Sequence, residues 1–301
     1  MGKYYRDYAD YLAERFECKM QKLTVNAGFT CPNRDGTKGY GGCTYCNNQA
    51  FNPSFAQRGE SVTSQLEKAK HFFARKYPDM RYLAYFQAYT NTHSSDIERL
   101  VAMYEEALAV DGVDGLIIGT RPDCMPDKLL DRLAIMNVFP GRVMVEYGAE
   151  SSHDLTLERI NRCHKWSDTV DAVQRTVKAG IDIGLHLILG LPGETEEMML
   201  HTVDRVSELP IKTVKFHQLQ VIRGTQLAKD IADGKYNVNT FTIEDYISLC
   251  VKIIKRINPQ IAIERFTSQS PDDLLISPRW GLKNYEFVNL LNKRLGFLVL
   301  K

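Results

Sequence analysis

The sequence predicts an α/β protein, a partial (β/α)6 barrel with a small C-terminal extension. Six strand-like segments alternate with helix-like segments, at intervals of about 30 residues that are typical of βα units. The strands are apolar enough to be covered on both faces, as the strands of a parallel sheet are. A doubly wound open sheet would show the same alternation, so it stays open as the competing arrangement.

The order of the units follows from apolar patterning. Strands are predicted over residues 22–26, 81–89, 115–120, 142–147, 183–189 and 213–221. Helices are predicted over residues 61–77, 97–108, 127–136 and 194–209 and in stretches of 152–180, where apolar residues recur every three or four positions. Ser95 and Glu98 form a capping-box pattern before the second helix. In repeated βα folds the site lies on the loops after the strands.

The alternation changes beyond Gly234. We predict a barrel core over residues 1–235 and an α/β extension packed on it over residues 236–301. The extension should contain a helix at 242–257, a short strand at 261–266 and a final helix. Residues 251–301 hold nine Lys or Arg and four Asp or Glu. This local excess fits either a solvated face or a surface that binds a polyanion.

Composition narrows the class of protein. The 301 residues are 44% hydrophobic and 25% charged, which excludes a disordered or fibrous chain. The net charge is +1, so no global field draws the chain to nucleic acid or to a membrane surface. No apolar run approaches the ~18 residues of a membrane span, and the N-terminus is too polar for a signal peptide. Seven cysteines in a long chain disfavour a disulfide framework. We expect a cytoplasmic protein without a membrane span.

Three cysteines within sixteen residues are the strongest chemical feature. Cys43 and Cys46 are separated by two residues after a Gly-Gly pair, and eleven residues separate Cys31 from Cys43. A structural zinc site uses four ligands, and no fourth Cys or His stands nearby. Three thiolates suit a [4Fe-4S] cluster with one iron left for an outside ligand. From these residues alone the cluster is favoured, and zinc stays the alternative.

Several segments of the chain resemble the radical S-adenosylmethionine (radical SAM) superfamily. The cysteine spacing resembles that of its elongator-catalytic-subunit branch. More narrowly, the chain resembles the YhcC/YtqA group from about Lys22 onward, and within it the tRNA-modifying MnmL type. The segments that carry the resemblance are 28–37 (GFTCPNRDGT), 86–92 (FQAYTNT), 119–127 (GTRPDCMPD), 187–195 (LILGLPGET) and 216–225 (FHQLQVIRGT).

The resemblance implies an enzyme that holds a [4Fe-4S] cluster on Cys31, Cys43 and Cys46 and cleaves S-adenosylmethionine to a 5′-deoxyadenosyl radical. That radical abstracts a hydrogen atom from the substrate. An electron donor such as flavodoxin or ferredoxin would be a partner. In such enzymes the cofactor carries the chemistry, while the protein orients the reactants and excludes water.

The same resemblance assigns residues to S-adenosylmethionine. Arg162 matches an arginine that grips the cofactor carboxylate, a role that suits a guanidinium fork. Glu150 occupies the position of a ribose-binding residue, and His186 is either a ribose contact or a satisfied core histidine. The superfamily usually holds the cofactor amine with a Gly-Gly-Glu segment, and this chain has residues 87–92 (QAYTNT) at that position instead. These residues are either substitute contacts for the amine or simply a polar strand end. The remaining predicted contacts are Gln87, Tyr89, Thr90, Thr92 and Leu187.

No residue is assigned to the catalytic step itself, and the candidates are Cys124, His217 and Arg223. A thiol at Cys124 could donate a hydrogen atom. His217 and Arg223, on the sixth strand and its loop, are candidate substrate contacts. Cys163 stands where many members of the superfamily have glycine, and we expect it to be a buried thiol rather than a ligand.

The MnmL-type resemblance implies a tRNA partner and a reaction at the wobble uridine. The enzyme would convert carboxymethylaminomethyl-(2-thio)uridine to aminomethyl-(2-thio)uridine. The near-neutral net charge argues against RNA binding, and the basic C-terminal excess partly answers that argument. The alternatives are a radical SAM enzyme acting on another RNA position or on a small molecule and, in another class, a non-catalytic metal-binding RNA module.

Overall fold

The computed structural model describes residues 3–50, 59–74, 79–238 and 240–299. Within these ranges the strands are β1 (Met20–Val25), β2 (Arg81–Phe86), β3 (Val113–Thr120), β4 (Val143–Glu150), β5 (Asp182–Leu189), β6 (Thr213–Gln218), β7 (Val221–Ile222), β8 (Ala262–Arg265) and β9 (Leu275–Ser277). The helices are α1 (Tyr8–Ala13), α2 (Val62–Ala74), α3 (Ile97–Leu108), α4 (Asp127–Met136), α5 (Asp154–Arg159), α6 (Trp166–Lys178), α7 (Glu196–Ser207), α8 (Gln226–Ala232), α9 (Ile243–Arg256) and α10 (Asn284–Val299).

Seven parallel strands form one sheet in the order β1-β2-β3-β4-β5-β6-β8, and β7 pairs antiparallel with β9. The sheet curves, because Lys22 of β1 reaches Glu146 of β4 at 2.9 Å and Glu264 of β8 at 2.6 Å. In the described residues β1 and β8 do not pair, so the barrel is partial. The predicted α/β fold with a partial barrel is confirmed, and the doubly wound alternative is wrong.

One strand more than predicted belongs to this sheet. The sequence places residues 261–266 in the extension, yet Ala262–Arg265 lies parallel to β6, with Ala262 beside Thr213. The sheet therefore continues past residue 235, where the domain boundary stays a prediction. The predicted capping box of Ser95 and Glu98 is wrong. Asp96 caps α3 instead, since its carboxylate accepts the amide of Arg99.

The two faces of the sheet differ in chemistry. The outer face packs apolar side chains such as Leu116, Val145 and Ile183 against the helices. The inner face is closed at one end by α1, whose Tyr11 packs among Tyr85, Met144 and other apolar residues. The rest of the inner face is polar and faces a pocket. Among the described helices, none is long and apolar enough to cross a lipid bilayer.

Candidate active site

A pocket lies at the carboxyl ends of the parallel strands, where parallel βα folds place their sites. The sequence-predicted residues that line it are Cys31, Cys43, Cys46, Gln87, Tyr89, Thr90, Glu150, Arg162, His186 and His217. Four predicted residues do not line it, namely Thr92, Cys124, Leu187 and Arg223. The fold thus brings together most of the residues that the sequence singled out, from five strands and the loops that follow them.

The loop that carries the three cysteines is shaped by glycine and by a tight turn. Gly41 and Gly42 have φ angles of 80° and 78°, a region that glycine adopts without strain. The amide of Cys46 donates to the carbonyl of Cys43 at 3.0 Å, which closes the turn between them. All three cysteines reach the same pocket. In the described part of the chain, no three His, Cys, Asp or Glu residues are grouped closely enough to hold a single metal ion.

The chemistry of these thiols suits a bound cluster. Arg162 lies with Nη1 3.4 Å from Sγ of Cys43, and Nδ2 of Asn33 lies 3.7 Å from the same sulfur. Burial and the neighbouring Cys43 raise the pKa of Cys46 to about 11. Cys46 is therefore a neutral thiol on its own, and a metal centre would deprotonate it. Donors aimed at Cys43 would stabilise the resulting negative charge.

Arg162 is held rigidly between β4 and the cysteine loop. Its Nη2 donates to the carbonyl of Gly148 at 2.6 Å and lies 3.3 Å from the carboxylate of Glu150. Its Nε donates to Nε2 of His164 at 3.0 Å. A Cβ on Gly148 would stand 2.6 Å from both Arg162 and Glu150, so only glycine leaves room for this pair against the strand. The guanidinium is thus fixed beside Cys43.

Left-handed backbone conformations cluster around the pocket. In the described residues, the non-glycine positions with positive φ are Tyr89 (61°), Glu150 (66°), Asn161 (53°) and Cys163 (57°). Such residues carry strain and are concentrated at functional sites. The φ of Cys163 explains why a glycine suits that position. The expectation that Cys163 is buried is wrong, because its side chain is exposed and lies 2.9 Å from Oδ1 of Asn33.

The predicted residues outside the pocket have other contacts. Thr92 is buried and its hydroxyl lies 2.6 Å from that of Thr120, at the end of β3. Leu187 packs in the outer core. Cys124 lies on a short 3-10 turn, where burial and Asp123 raise the pKa of its thiol to about 12. Arg223 is exposed, on the loop after β7.

A buried charge network forms the floor of the pocket. Glu146 accepts from Lys215 at 2.5 Å and from Lys22 at 2.9 Å, and Nε2 of His186 lies 2.9 Å from it. Burial alone would raise the pKa of Glu146, but Lys215 and Lys22 hold it well below its ordinary value. Burial lowers the pKa of Lys215 to about 8 and also lowers that of His186. At neutral pH, Glu146 is charged and His186 is neutral.

Sequence reasoning missed part of the lining. Missed residues include Arg34, Tyr45, Asn48, Tyr85, Gln220, Arg265 and Ser268. Strand alternation could have placed Tyr85 on the inner face, since it faces the same way as Leu83. Arg265 could not be found in this way, because its strand was assigned to the extension and not to the barrel.

The chain matches known proteins over most of its length. The sequence model described as the Radical SAM superfamily matches residues 28–206, and that of the Radical_SAM C-terminal domain matches residues 211–296. Uncharacterized protein YtqA of Bacillus subtilis is 36% identical, with 97% of this chain and 90% of that protein covered. Protein YhcC of Escherichia coli is 38% identical, with 89% and 85% covered.

Two further proteins are similar to this chain. A tRNA uridine(34) acetyltransferase of Methanocaldococcus jannaschii is 31% identical over 59% of this chain and 32% of its own length. The solved structure of Methanocaldococcus infernus Elp3 has a TM-score of 0.67 at 16% identity, over 94% of this chain and 64% of that one. This protein belongs to the radical SAM superfamily, whose enzymes use a [4Fe-4S] cluster and S-adenosylmethionine.

Proposed function

We propose that this enzyme modifies the wobble uridine of tRNA, converting carboxymethylaminomethyl-(2-thio)uridine to aminomethyl-(2-thio)uridine. S-adenosylmethionine, cleaved to methionine and 5′-deoxyadenosine, would be the two-electron oxidant of the carbon beside the amine, and water would release the carboxymethyl group as glyoxylate. The observation that carries the proposal is the extent of the pocket, which runs from the three cysteines to Gln220 and Ser268 in the C-terminal part of the chain. The end of the pocket that Gln220 and Ser268 line lies beyond the residues that the resemblance assigns to the cluster and to S-adenosylmethionine. The similarity to a tRNA uridine(34) acetyltransferase supports the wobble position.

In this proposal Cys31, Cys43 and Cys46 hold the cluster, which with S-adenosylmethionine supplies an electron and a hydrogen-abstracting radical when bound. Arg162 binds the methionine carboxylate, because its guanidinium is already fixed beside Cys43. Glu150, which lies against Arg162, accepts from the ribose hydroxyls.

The other side chains of the pocket are proposed to complete the cofactor site. Gln87, Tyr89 and Thr90 lie at the end of β2, where the superfamily holds the cofactor amine. His186 is neutral and directs Nε2 to the carboxylate of Glu146, so Nε2 donates and Nδ1 is left to accept from a ribose hydroxyl.

Contact with RNA is supported by the surface of α10. Lys283 before this helix and Lys293 on it are exposed, as are the rings of Tyr285 and Phe297. Bases of single-stranded RNA stack on exposed aromatic rings, and lysines contact the phosphates. Three other cations of the C-terminal part, Lys252, Arg256 and Arg294, are paired with acids, for example Lys252 with Glu196 at 2.5 Å. The predicted basic surface therefore has fewer unpaired cations than the charge count of residues 251–301 suggests.

Nucleoside mass spectrometry of tRNA tests the proposal. The tRNA is taken from cells with the gene, without it, and with a Cys43→Ser copy. We expect carboxymethylaminomethyl-uridine to accumulate, and aminomethyl-type nucleosides to be lost, in the second and third strains alike. An unchanged profile without the gene would refute the wobble reaction and leave a radical SAM enzyme with another substrate.

A further inference from the structure

Arg265 is a cation in the pocket without an anionic partner. It lies at the end of β8 and lines the pocket with His217 and Ser268. Its Nε is buried and has no hydrogen-bond partner among the described residues. Its Nη2 lies 3.4 Å from Nδ1 and 3.5 Å from Nε2 of His217. These long contacts to a ring leave the guanidinium unneutralised.

The acids nearby are paired with other cations. Glu264 lies 2.6 Å from Lys22 and 3.2 Å from Lys215, and Glu146 lies within 2.9 Å of the same two lysines. Across residues 3–50, 59–74, 79–238 and 240–299, no carboxylate lies within ion-pair distance of Arg265. The residues outside these ranges include no Asp or Glu.

The inner face of the barrel therefore carries excess positive charge. Lys22, Lys215 and Arg265 face only two carboxylates, Glu146 and Glu264. Burial and Arg265 hold the pKa of His217 well below its ordinary value, so this ring is neutral. An unpaired charge in a desolvated site is unfavourable unless a ligand completes it. The unmatched charge lies at the pocket wall, where a ligand can reach it.

We propose that Arg265 binds an anionic group of the substrate. On the proposed function, this group is the carboxylate of the carboxymethylaminomethyl substituent. A guanidinium binds a carboxylate through charge-assisted hydrogen bonds, and the guanidinium of Arg265 lines the pocket with only long contacts to His217. The cofactor carboxylate has its own partner in Arg162 beside Cys43. An RNA phosphate carries the same charge, and the experiment separates the two sources.

The test compares two anticodon stem-loops that differ in one group. One carries the carboxymethylaminomethyl substituent, and the other carries its carboxamide, with identical phosphates. Dissociation constants are measured anaerobically for the holoenzyme with S-adenosylmethionine bound. We expect the wild type to bind the acid at least about tenfold more tightly than the amide, which is the size of a charge-assisted hydrogen bond. Arg265→Gln should abolish the preference, and Arg265→Lys should restore part of it.

The matched control is Arg256→Gln, whose arginine pairs with Asp204 at 3.1 Å on the outer surface and should keep the wild-type preference. If Arg265→Gln weakens both stem-loops equally, Arg265 contacts a phosphate and the carboxylate proposal is wrong. If the wild type prefers the acid but does not convert it, the anion site stands and the proposed reaction falls. If the acid is converted and Arg265→Gln keeps the preference, the reaction stands and this inference falls.

Should the wild type bind neither stem-loop, N-ethylglycine and N-ethylglycinamide serve as the probes, because they carry the same amine with and without the carboxylate. A preference for N-ethylglycine that disappears in Arg265→Gln supports the site. Equal binding of the two compounds by the wild type overturns it.

Discussion

The guanidinium of Arg162 lies 3.4 Å from the sulfur of Cys43, so a cation is fixed beside a predicted cluster ligand. Four contacts hold it there, to Cys43, Gly148, Glu150 and His164. Because these contacts fix the guanidinium, the N–H that they leave free on Nη1 has one orientation, as recognition of a carboxylate requires. This relationship joins the cysteine loop to β4 and makes the pocket one site.

Arg162→Lys should weaken the binding of S-adenosylmethionine by about tenfold or more, because a lysine keeps the charge but loses the fork. Equilibrium dialysis measures the effect. The amount of bound S-adenosylmethionine is divided by the amount of cluster, so that differences in iron loading do not change the result. Arg175→Lys, in an exposed pair with Asp171 on α6, is the control and should bind as the wild type does. Wild-type affinity in Arg162→Lys would refute the assignment of this side chain.

Replacement of Cys31, Cys43 or Cys46 by serine should remove the cluster. Each of these cysteines lines the pocket, and the site then lacks one of three thiolates. Iron and sulfide counts on anaerobically purified protein should fall sharply, and cleavage of S-adenosylmethionine should stop. Cys18→Ser is the control, since Cys18 contacts Met20 away from the pocket. Full iron content in any of the three variants would show that its cysteine is no ligand.

Glu146→Gln should lower the free energy of unfolding by about 3–5 kcal/mol, because it leaves the buried Lys22 and Lys215 sharing the single carboxylate of Glu264. Glu146 is 1% exposed and contacts both Lys215 and Lys22. Urea unfolding of the metal-free protein measures the change. In the double variant Glu146→Gln/Lys215→Met, removal of the lysine charge should restore part of the lost free energy of unfolding. Glu98→Gln, in an exposed pair with Arg132, should have little effect. Equal stabilities of Glu146→Gln and wild type would contradict the network.

His164 should make the protein less stable in acid. Burial, followed by Arg162, lowers the pKa of His164 to about 3, so the folded protein keeps it neutral while the unfolded chain protonates it near pH 6.5. Stability from this residue is complete above pH 6.5 and is lost as the pH falls from there towards 3. His164→Gln should flatten the decline of the urea midpoint between pH 7 and 4.5. His201→Gln, on the exposed side of α7, should leave it unchanged.

Much of the barrel could be predicted because its strands are short apolar runs. The run at 183–189 corresponds to β5 (Asp182–Leu189), and the run at 115–120 falls within β3 (Val113–Thr120). The helix cap could not be placed, because Ser95 and Asp96 are both good caps and only the structure shows that the helix begins at Ile97, directly after Asp96. The local sequence pattern thus predicts whether a segment is a strand or a helix better than it predicts the residues at which the element begins and ends.

The lining of the pocket was predictable where residues match the family resemblance. The cysteines and Arg162 belong to segments with a family resemblance, and the fold brings them together. Arg265 carries no local pattern, and its place depends on β8 joining β6 across more than forty residues of chain. Thr92 shows the converse, because it does not line the pocket and its hydroxyl donates to the carbonyl of Cys124 in a neighbouring turn.

The central claim is that this radical SAM enzyme acts on the wobble uridine of tRNA. Its most direct test incubates the reconstituted enzyme, S-adenosylmethionine and a reductant with tRNA that carries carboxymethylaminomethyl-uridine. The account predicts that 5′-deoxyadenosine and aminomethyl-uridine form together, and that both fail to form with Cys43→Ser. Formation of 5′-deoxyadenosine at the same rate with and without this tRNA, while the nucleoside stays intact, would contradict it.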